Sequence, residues 1–277
     1  AAASQLFIAQ PSISLAISEM EDYYGVKLFD RISRKLYLTE NGRRALQYAR
    51  HIIDLLDEME QGVRDVDAMG RLKVGTSITI GTYLLPGYIK KLKQQYPALK
   101  VEASIANSGT IEQQILDNDI DVGIIEGVAH SPFILSESFA GDRLVFICPA
   151  GHEFAGKTLE ELSEVRNQDF ILREKGSAGR EIFDGILAAQ ELNVRPIWQS
   201  ASNQVILQGV KAGLGISILP YFLVREDIRE GELAEFRIKD LALNRKYSVI
   251  YHKNKFLPRS ARTLMELCKE GNGADRL

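Results

Sequence analysis

The chain has 277 residues, which is more than one ordinary core holds and fits two or three domains of roughly 100 to 150 residues each. Apolar residues make up 45% and charged residues 26%, a balance typical of a soluble mixed α/β protein and unlike a disordered chain. The net charge of −3 excludes overall basicity, so a nucleic-acid partner would have to meet a local basic patch.

The cysteines and histidines argue against a disulfide framework and a metal site. Cys148 and Cys268 lie far apart without a C-x-x-C motif, and the histidines show no H-x-x-x-H spacing. No apolar run reaches the length of a membrane span, and no basic-then-apolar leader opens the sequence. We therefore expect reduced thiols, no metal, no cofactor, no membrane contact and a cytoplasmic location.

The N-terminal segment predicts two short helices joined by a tight turn. Residues 1–7 indicate the first helix, residues 8–10 the turn, and residues 11–23 the second helix, with Pro11 in its first turn. Serines on the exposed side of the second helix would let it enter a major groove and bond to base edges or phosphates. This arrangement favours a helix-turn-helix; the alternative is an ordinary surface helix that bears serines.

A basic hairpin follows these helices. Residues 25–39 have the pattern of a β-hairpin. Residues 23–50 contain only two acidic residues, Asp30 and Glu40. The basic residues of the same segment are Lys27, Arg31, Arg34, Lys35, Arg43, Arg44 and Arg50. A wing laid along a phosphate backbone needs such cations, because each contact releases counterions and adds affinity that does not depend on sequence. The segment therefore predicts a winged helix-turn-helix that binds double-stranded DNA.

Residues 1–42 resemble the winged helix-turn-helix of LysR-type transcriptional regulators. Their sequence is AAASQLFIAQPSISLAISEMEDYYGVKLFDRISRKLYLTENG, against an approximate family pattern of A-A-x-x-L-x-x-S-Q-P-A-x-S-x-x-I-x-x-L-E-x-x-L-G-x-x-L-F-x-R-x-x-R-x-x-x-L-T-x-A-G. The resemblance implies that DNA is contacted by a recognition helix and a wing, through Gln10, Pro11, Ser12, Ser14, Leu15, Ser18, Arg31 and Arg34.

The segment departs from the family pattern at a few positions. Ala9 replaces the serine that usually caps the recognition helix, and Asn41 replaces an alanine. The family's first helix would precede Ala1. The resemblance therefore implies an N-terminally truncated head, which we expect to bind DNA weakly unless further residues that supply this helix exist in the native protein.

Residues 43–69 predict a linker helix that pairs with a second copy of the chain. Its apolar side chains follow the period of about 3.5 residues that is typical of a coiled coil. The predicted seam consists of Ala45, Ala49, Ile52, Leu56, Met59, Val63 and Val66. We therefore expect a homodimer or homotetramer; the alternative is an amphipathic helix packed on its own domain.

After residue 70, short β-rich runs alternate with helical stretches, which is the pattern of parallel sheets. The predicted strands are 72–74, 101–105, 122–125, 144–148, 169–172, 197–199, 216–219 and 247–251. The predicted helices are 83–95, 110–116, 159–165, 180–192, 203–211 and 260–269. These runs form two Rossmann-like sets, so the expected fold class is α/β behind the winged head and the linker helix.

The family resemblance extends over this region. LysR-type effector-binding regions have the fold of periplasmic solute-binding proteins, which would place one lobe at 70–150 plus 248–270 and the other at 151–247. At the ends of parallel strands, helix N-termini direct unpaired N–H groups and a positive dipole into the cleft, which favours an anion. We therefore expect a small anionic or carboxylate effector between the lobes.

Polar residues that follow the predicted strands are the candidates for this effector site: Ser77, Thr79, Ser108, Glu126, Ser177, Ser202 and Asn203. Each hydroxyl could instead serve only as a helix cap. The resemblance implies that Ser77 and Thr79 contact the effector. Glu126 would disfavour an anion unless Lys175 or Arg173 offsets its charge.

One enzyme-like motif needs an alternative explanation. Residues 151–158, GHEFAGKT, match the G-x-x-x-x-G-K-[ST] phosphate loop. No apolar strand ending in Asp accompanies the motif, and Thr158 with Glu161 would form a capping box for the predicted helix.

The sequence as a whole predicts a LysR-type regulator. We expect no catalytic residues and no enzyme activity. The alternatives are a stand-alone solute-binding module and a P-loop NTPase.

Overall fold

The computed structural model describes residues 7, 9–32, 35–64 and 70–270, without the side chains of residues 31, 35, 54, 55 and 57–64. The chain divides into two compact units, Ala1–Val66 and Asp67–Leu277. The predicted helix over residues 1–7 lies almost wholly outside the described residues. Among the described residues, no helix has both the length and the apolarity to cross a bilayer.

The first unit contains the predicted second helix and the predicted hairpin. Helix α1 covers Gln10–Tyr24, so Gln10 belongs to the helix and not to the turn. Strands β1 (Phe29–Ile32) and β2 (Lys35–Leu38) pair antiparallel with Phe29 opposite Leu38, which confirms the wing. As expected from Ala9, the start of α1 has no side-chain cap.

Glu21 joins helix α1 to the wing. Its Oε1 accepts hydrogen bonds from the backbone N–H groups of Leu28 (2.8 Å) and Phe29 (3.2 Å), and its Oε2 accepts one from Lys27 Nζ (2.6 Å). The hydrogen bond from Lys27 and those from the backbone lower the pKa of Glu21 from 4.5 to about 2. Glu21 is therefore a structural acid within the basic head.

The wing is joined to helix α2 (Glu40–Arg64) at a closely packed junction. Thr39 Oγ1 donates to the carbonyl of Lys27 (2.6 Å) and accepts from the backbone N–H of Gly42 (2.9 Å), so it caps α2. Gly42 lies against the Leu28 carbonyl, and a Cβ at this position would come within 2.0 Å of that oxygen. The close approach explains why only a glycine fits here.

Helix α2 exposes apolar side chains along its described part. Ile52 and Leu56, both in the predicted seam, are 57% and 51% exposed. Ile53 is 58% exposed beside them. The side chains of Met59 and Val63, and all of Val66, lie outside the described set, so the pairing of α2 with a second copy stays a prediction.

The second unit begins with a lobe of three parallel strands, in which the first strand along the chain lies between the other two. Strands β3 (Arg71–Ser77), β4 (Lys100–Ala106) and β5 (Val122–Glu126) run parallel. They alternate with α3 (Ile78–Tyr83), α4 (Leu85–Gln95) and α5 (Ser108–Leu116). Helices α4 and α9 (Arg259–Glu270) contribute to a core that contains Leu72, Leu92 and Leu264.

Strands β6 (Ile134–Pro149) and β12 (Asn244–His252) connect this lobe to a second one. The first half of β6 pairs with β12, and from Leu144 onward β6 pairs with β10 (Ser217–Pro220) and β11 (Leu233–Ile238). The strands therefore change lobe at about Arg143 and Asn244. The predicted boundaries at 150/151 and 247/248 both lie later in the chain than these changes of pairing.

The second lobe is completed by a parallel pair and its helices. Strands β8 (Phe170–Arg173) and β9 (Pro196–Ser200) pair with each other, and Phe170 bridges to Ile216 beside β10. The helices are α6 (Ala178–Ala189), α7 (Asn203–Lys211) and α8 (Tyr221–Arg229). Most predicted strands and helices are confirmed within a few residues, and α7 has the predicted bounds.

The predicted helix over 159–165 is wrong. Strand β7 (Thr158–Leu159) pairs with β11 there, and only a short 3-10 helix, Leu162–Val165, follows. The capping box is formed by Glu161 and Glu164, not by Thr158 and Glu161. The GHEFAGKT segment therefore lacks the helix that a phosphate loop requires directly after its Lys-Thr pair.

Candidate functional site

The ends of the parallel strands bring the predicted site residues of the first lobe together. Ser77 is opposite Ala106 in the register of β3 and β4, and Thr76 is level with Ile124 on the other side. Ser108 Oγ donates a 2.9 Å hydrogen bond to the backbone carbonyl of Glu126. The sequence-based expectation that Ser77, Ser108 and Glu126 share one sheet edge is therefore met.

The loop before α6, which belongs to the second lobe, contacts this sheet edge. The backbone N–H of Gly109 donates to the Gly176 carbonyl (3.0 Å), and Asn107 Nδ2 donates to Glu174 Oε1 (3.2 Å). Gly127, with φ 85°, lies so close to Ala178 that a Cβ would come within 3.0 Å of its side chain. These contacts place Ser177, at the start of α6, beside the residues of the first lobe.

A further contact between the lobes comes from two aromatic rings. Tyr83 of α3 and Phe222 of α8 meet edge to face, with their ring centroids 4.8 Å apart. The C-terminal end of α3 therefore contacts the second lobe. The strand ends of the first lobe and the loop before α6 therefore form one contact layer between the lobes.

Polar atoms in this layer lack hydrogen-bond partners. Among the described residues, Ser77 Oγ, Thr79 Oγ1 and Ser177 Oγ are buried without a partner, and Glu126 Oε1 is in the same state. Ser77 and Ser177 occupy the cap positions of α3 and α6, yet neither side chain makes a cap hydrogen bond. A buried hydroxyl without a partner costs about 1–3 kcal/mol, a cost that a hydrogen bond to a polar ligand would remove.

Other predicted candidates have ordinary structural roles. Ser202 is exposed and caps α7 by accepting a hydrogen bond from the backbone N–H of Val205. Asn203 Oδ1 accepts from Arg173 Nη1 (2.7 Å). Asn107, which the sequence-based reasoning missed, is the cap of α5. Ser202 and Asn203 are therefore less suited to ligand binding than the partnerless hydroxyls.

The charge of Glu126 is balanced by a residue that the sequence did not suggest. Arg245 Nη1 lies 2.9 Å from Glu126 Oε2, and Arg245 Nε donates to Asp142 Oδ1 (2.5 Å). The proposed partners Lys175 and Arg173 are wrong, because Lys175 is exposed and Arg173 pairs with Glu174.

This ion triad is deeply buried where the strands change lobe. The side chains of Arg245, Glu126 and Asp142 are 3%, 6% and 7% exposed. Burial opposes the charge of Arg245, but Glu126 and Asp142 raise its pKa above the ordinary value. Arg245 therefore compensates the charge of Glu126 through Oε2, while Oε1 stays buried without a partner.

A surface hollow of about 440 Å³ lies elsewhere, beside β6 and β11. Three of its charged side chains pair with one another, since Glu235 Oε1 lies 3.0 Å from both Arg143 Nη1 and Arg237 Nε. The hollow therefore lacks the unmet hydrogen bonds of the layer between the lobes. No group of His, Cys, Asp and Glu among the described residues is arranged to hold a metal ion.

The predicted DNA-contacting side chains of α1 are mostly open to solvent. Gln10, Pro11, Ser12 and Ser18 are exposed, and Leu15 is 60% exposed. Ser14, which is partly buried, accepts a 2.9 Å hydrogen bond from Gln10 Nε2. The side chain of Arg31 and the whole of Arg34 lie outside the described residues.

Comparison with known proteins identifies both units. Residues 1–43 match the family model for the bacterial regulatory helix-turn-helix protein of the lysR family, and residues 67–273 match the LysR substrate binding domain. Escherichia coli (strain K12) YeiE, an uncharacterized HTH-type transcriptional regulator, is 33% identical over 98% of this chain and 92% of its own. Bacillus subtilis CysL, an HTH-type transcriptional regulator, is 30% identical over 90% of this chain and 84% of its own.

Solved structures share the fold at lower identity. The regulatory domain of Synechocystis CcmR, in complex with 2-PG, has a TM-score of 0.66 at 24% identity and covers 74% of this chain and 98% of its own. A full-length OxyR variant from Pseudomonas aeruginosa has a TM-score of 0.66 at 20% identity and covers 97% of this chain and 88% of its own. The chain therefore belongs to the LysR family of transcriptional regulators, DNA-binding proteins that a ligand of the effector-binding region controls.

Proposed function

We propose that a small anion binds between the lobes at the hydroxyls of Ser77, Thr79 and Ser177 and thereby controls DNA binding by the head. The supporting observation is that these hydroxyls are buried without partners while helix caps elsewhere, such as Ser202, are satisfied. An anion with several acceptor oxygens would accept from all of them. It would also lie near the N-terminus of α6, whose dipole favours negative charge.

Related structures support a small ligand at the effector-binding region. The CcmR regulatory domain binds 2-PG, and the effector-binding domain of QuiR binds shikimate. Control of DNA binding then requires only that the ligand prefer one arrangement of the molecule over another. No chemical step is needed, so we propose that the protein is not an enzyme and holds no cofactor.

The partners and location are part of the same proposal. The exposed apolar side chains of α2 support a homodimer or homotetramer. The DNA contacts that we propose are those of α1 and of the wing residues Arg31 and Arg34. The reduced-thiol composition and the DNA partner favour a cytoplasmic location. The match of residues 1–43 to a DNA-binding family leaves the stand-alone solute-binding module without support.

A thermal-shift screen of small anions and carboxylates on wild-type protein and Thr79→Val tests this site. A ligand at 100 times its dissociation constant stabilises the folded state by about 2.7 kcal/mol, and Thr79→Val should lose most of this shift. Valine has nearly the shape of threonine, so the change removes little but the hydroxyl.

Thr82→Val is the matched control. The Thr82 hydroxyl is exposed on the same helix and donates to the Ile78 carbonyl (2.7 Å), so its loss should leave ligand binding unchanged. Equal ligand shifts in wild type, Thr79→Val and Thr82→Val would show that the anion binds elsewhere.

A further inference from the structure

The hydrogen-bonding of Glu126 restricts the chemistry of the ligand beyond its negative charge. Its backbone carbonyl accepts from Ser108 Oγ, and its Oε2 faces Arg245 at 2.9 Å. Its Oε1 is buried and has no partner among the described residues. This oxygen is an acceptor, and Glu126 ends β5 at the same sheet edge where Ser77 ends β3.

An anion that has only acceptor oxygens would satisfy the hydroxyls but not Glu126. A serine or threonine hydroxyl can rotate to donate to such an anion. A carboxylate oxygen can only repel it, because two electronegative atoms would meet without a proton between them. A ligand that carries an O–H or N–H group would instead donate a hydrogen bond to Glu126 Oε1.

We infer that the effector is an anion that also carries a hydrogen-bond donor, with its acceptor oxygens on the serine and threonine hydroxyls and its donor on Glu126 Oε1. This inference rests on the proposed function, because it specifies the ligand of the same site. The class includes monoprotonated oxyanions and hydroxy acids. It excludes anions that carry no O–H or N–H group near neutral pH.

Inorganic phosphate and sulfate form the sharpest pair of probes. Both are tetrahedral and similar in size, but near neutral pH phosphate retains an O–H and sulfate has none. A site built to bond to a ligand proton rejects the analogue without it by as much as 10⁴–10⁵-fold, so we expect phosphate to bind wild-type protein at least about 100-fold more tightly than sulfate. Lactate and propionate provide a second pair, in which only lactate has the hydroxyl.

The experiment is a calorimetric titration of the full chain with these four anions at constant ionic strength, on wild type, Glu126→Gln and Glu102→Gln. In Glu126→Gln an amide N–H can face the anion, so sulfate should gain affinity and the phosphate preference should fall below about tenfold. Glu102 is a half-exposed carboxylate that pairs with Arg71 on the same sheet. Glu102→Gln should therefore keep the wild-type preference.

The outcomes separate this inference from the proposed function. If sulfate binds wild-type protein as tightly as phosphate, and propionate as tightly as lactate, while Thr79→Val weakens them all, the donor requirement is wrong and the anion site stands. If none of the four anions binds, or if Thr79→Val affects none of them, the proposed function fails and the inference with it. The wild-type comparison decides the inference even if Glu126→Gln does not fold.

Discussion

Arg245→Met should destabilise the unit 67–277 by about 3–5 kcal/mol. Arg245 is the cation of a buried triad, with Glu126 on one side and Asp142 on the other, and its own side chain is only 3% exposed. Methionine fits a similar volume, so little packing is lost. The cost comes from the two carboxylates, which would stay buried without a countercharge.

Urea unfolding followed by the fluorescence of Trp198 measures this effect, because the tryptophan lies on β9 of the same unit. Arg237→Met is the matched control: Arg237 also pairs with a carboxylate, at 3.0 Å from Glu235, but it is 69% exposed. Loss of such a surface pair should cost about 0–1 kcal/mol. If both variants lose the same stability, the triad does not contribute as described.

Removing all three charges tests the cause. The triple variant Arg245→Met, Glu126→Gln, Asp142→Asn should be more stable than Arg245→Met alone, since it leaves no uncompensated buried charge. A triple variant that is less stable than Arg245→Met would mean that lost packing, and not charge, explains the single change.

Gly42→Ala should destabilise the first unit by about 1–3 kcal/mol or more. The added Cβ would lie 2.0 Å from the Leu28 carbonyl oxygen and 3.0 Å from the Leu38 side chain. The clash involves backbone, so no side-chain rotation relieves it. The wing and the start of α2 would have to separate, and with them the hydrogen bond from the Thr39 N–H to the Leu28 carbonyl.

Hydrogen exchange of the Thr39 amide, measured by mass spectrometry on wing peptides, reports this separation directly. Alanine normally favours a helix over glycine by about 0.8–1.0 kcal/mol, so the sign of the change is diagnostic. Asn41→Ala, at the exposed neighbouring position, should leave Thr39 exchange nearly unchanged. Slower exchange in Gly42→Ala than in wild type would contradict the close approach.

A glycine in open space provides the converse case. Gly185 lies in α6, and nothing lies within 4 Å of the position that a Cβ would take there. Gly185→Ala should therefore stabilise its unit by about 0.5–1 kcal/mol, opposite in sign to Gly42→Ala. The same substitution is thus expected to have opposite effects that depend only on the surrounding space.

Local signals made much of the fold predictable. Helix α1, the wing hairpin and α7 follow from short-range patterns of Pro, Gly and apolar residues, and the structure confirms these elements. The first half of β6 and the strand β11 were missed because their exposed and partly buried residues interrupt any continuous apolar run. Helices α3 and α8 are too short for a clear helical period.

The site was predictable only in part, because the same sequence signal has two physical outcomes. A serine after a strand can cap a helix, as Ser202 does, or stay without a partner, as Ser77 and Ser177 do. Only the tertiary structure shows which of these two outcomes a given serine has. Arg245 was missed because it is 103 positions from Asp142 and has no local motif. Long-range ion pairs of this kind depend on tertiary packing and leave no short-range pattern.

The most direct test of ligand control is the affinity for DNA with and without the anion that gives the largest thermal shift. Fluorescence anisotropy of a labelled duplex, selected for binding from a random pool, gives the dissociation constants for wild type and Thr79→Val. We expect the anion to change the wild-type constant by at least about fivefold and to leave that of Thr79→Val unchanged. A wild-type constant that is the same with the anion bound and absent would contradict ligand control through this site.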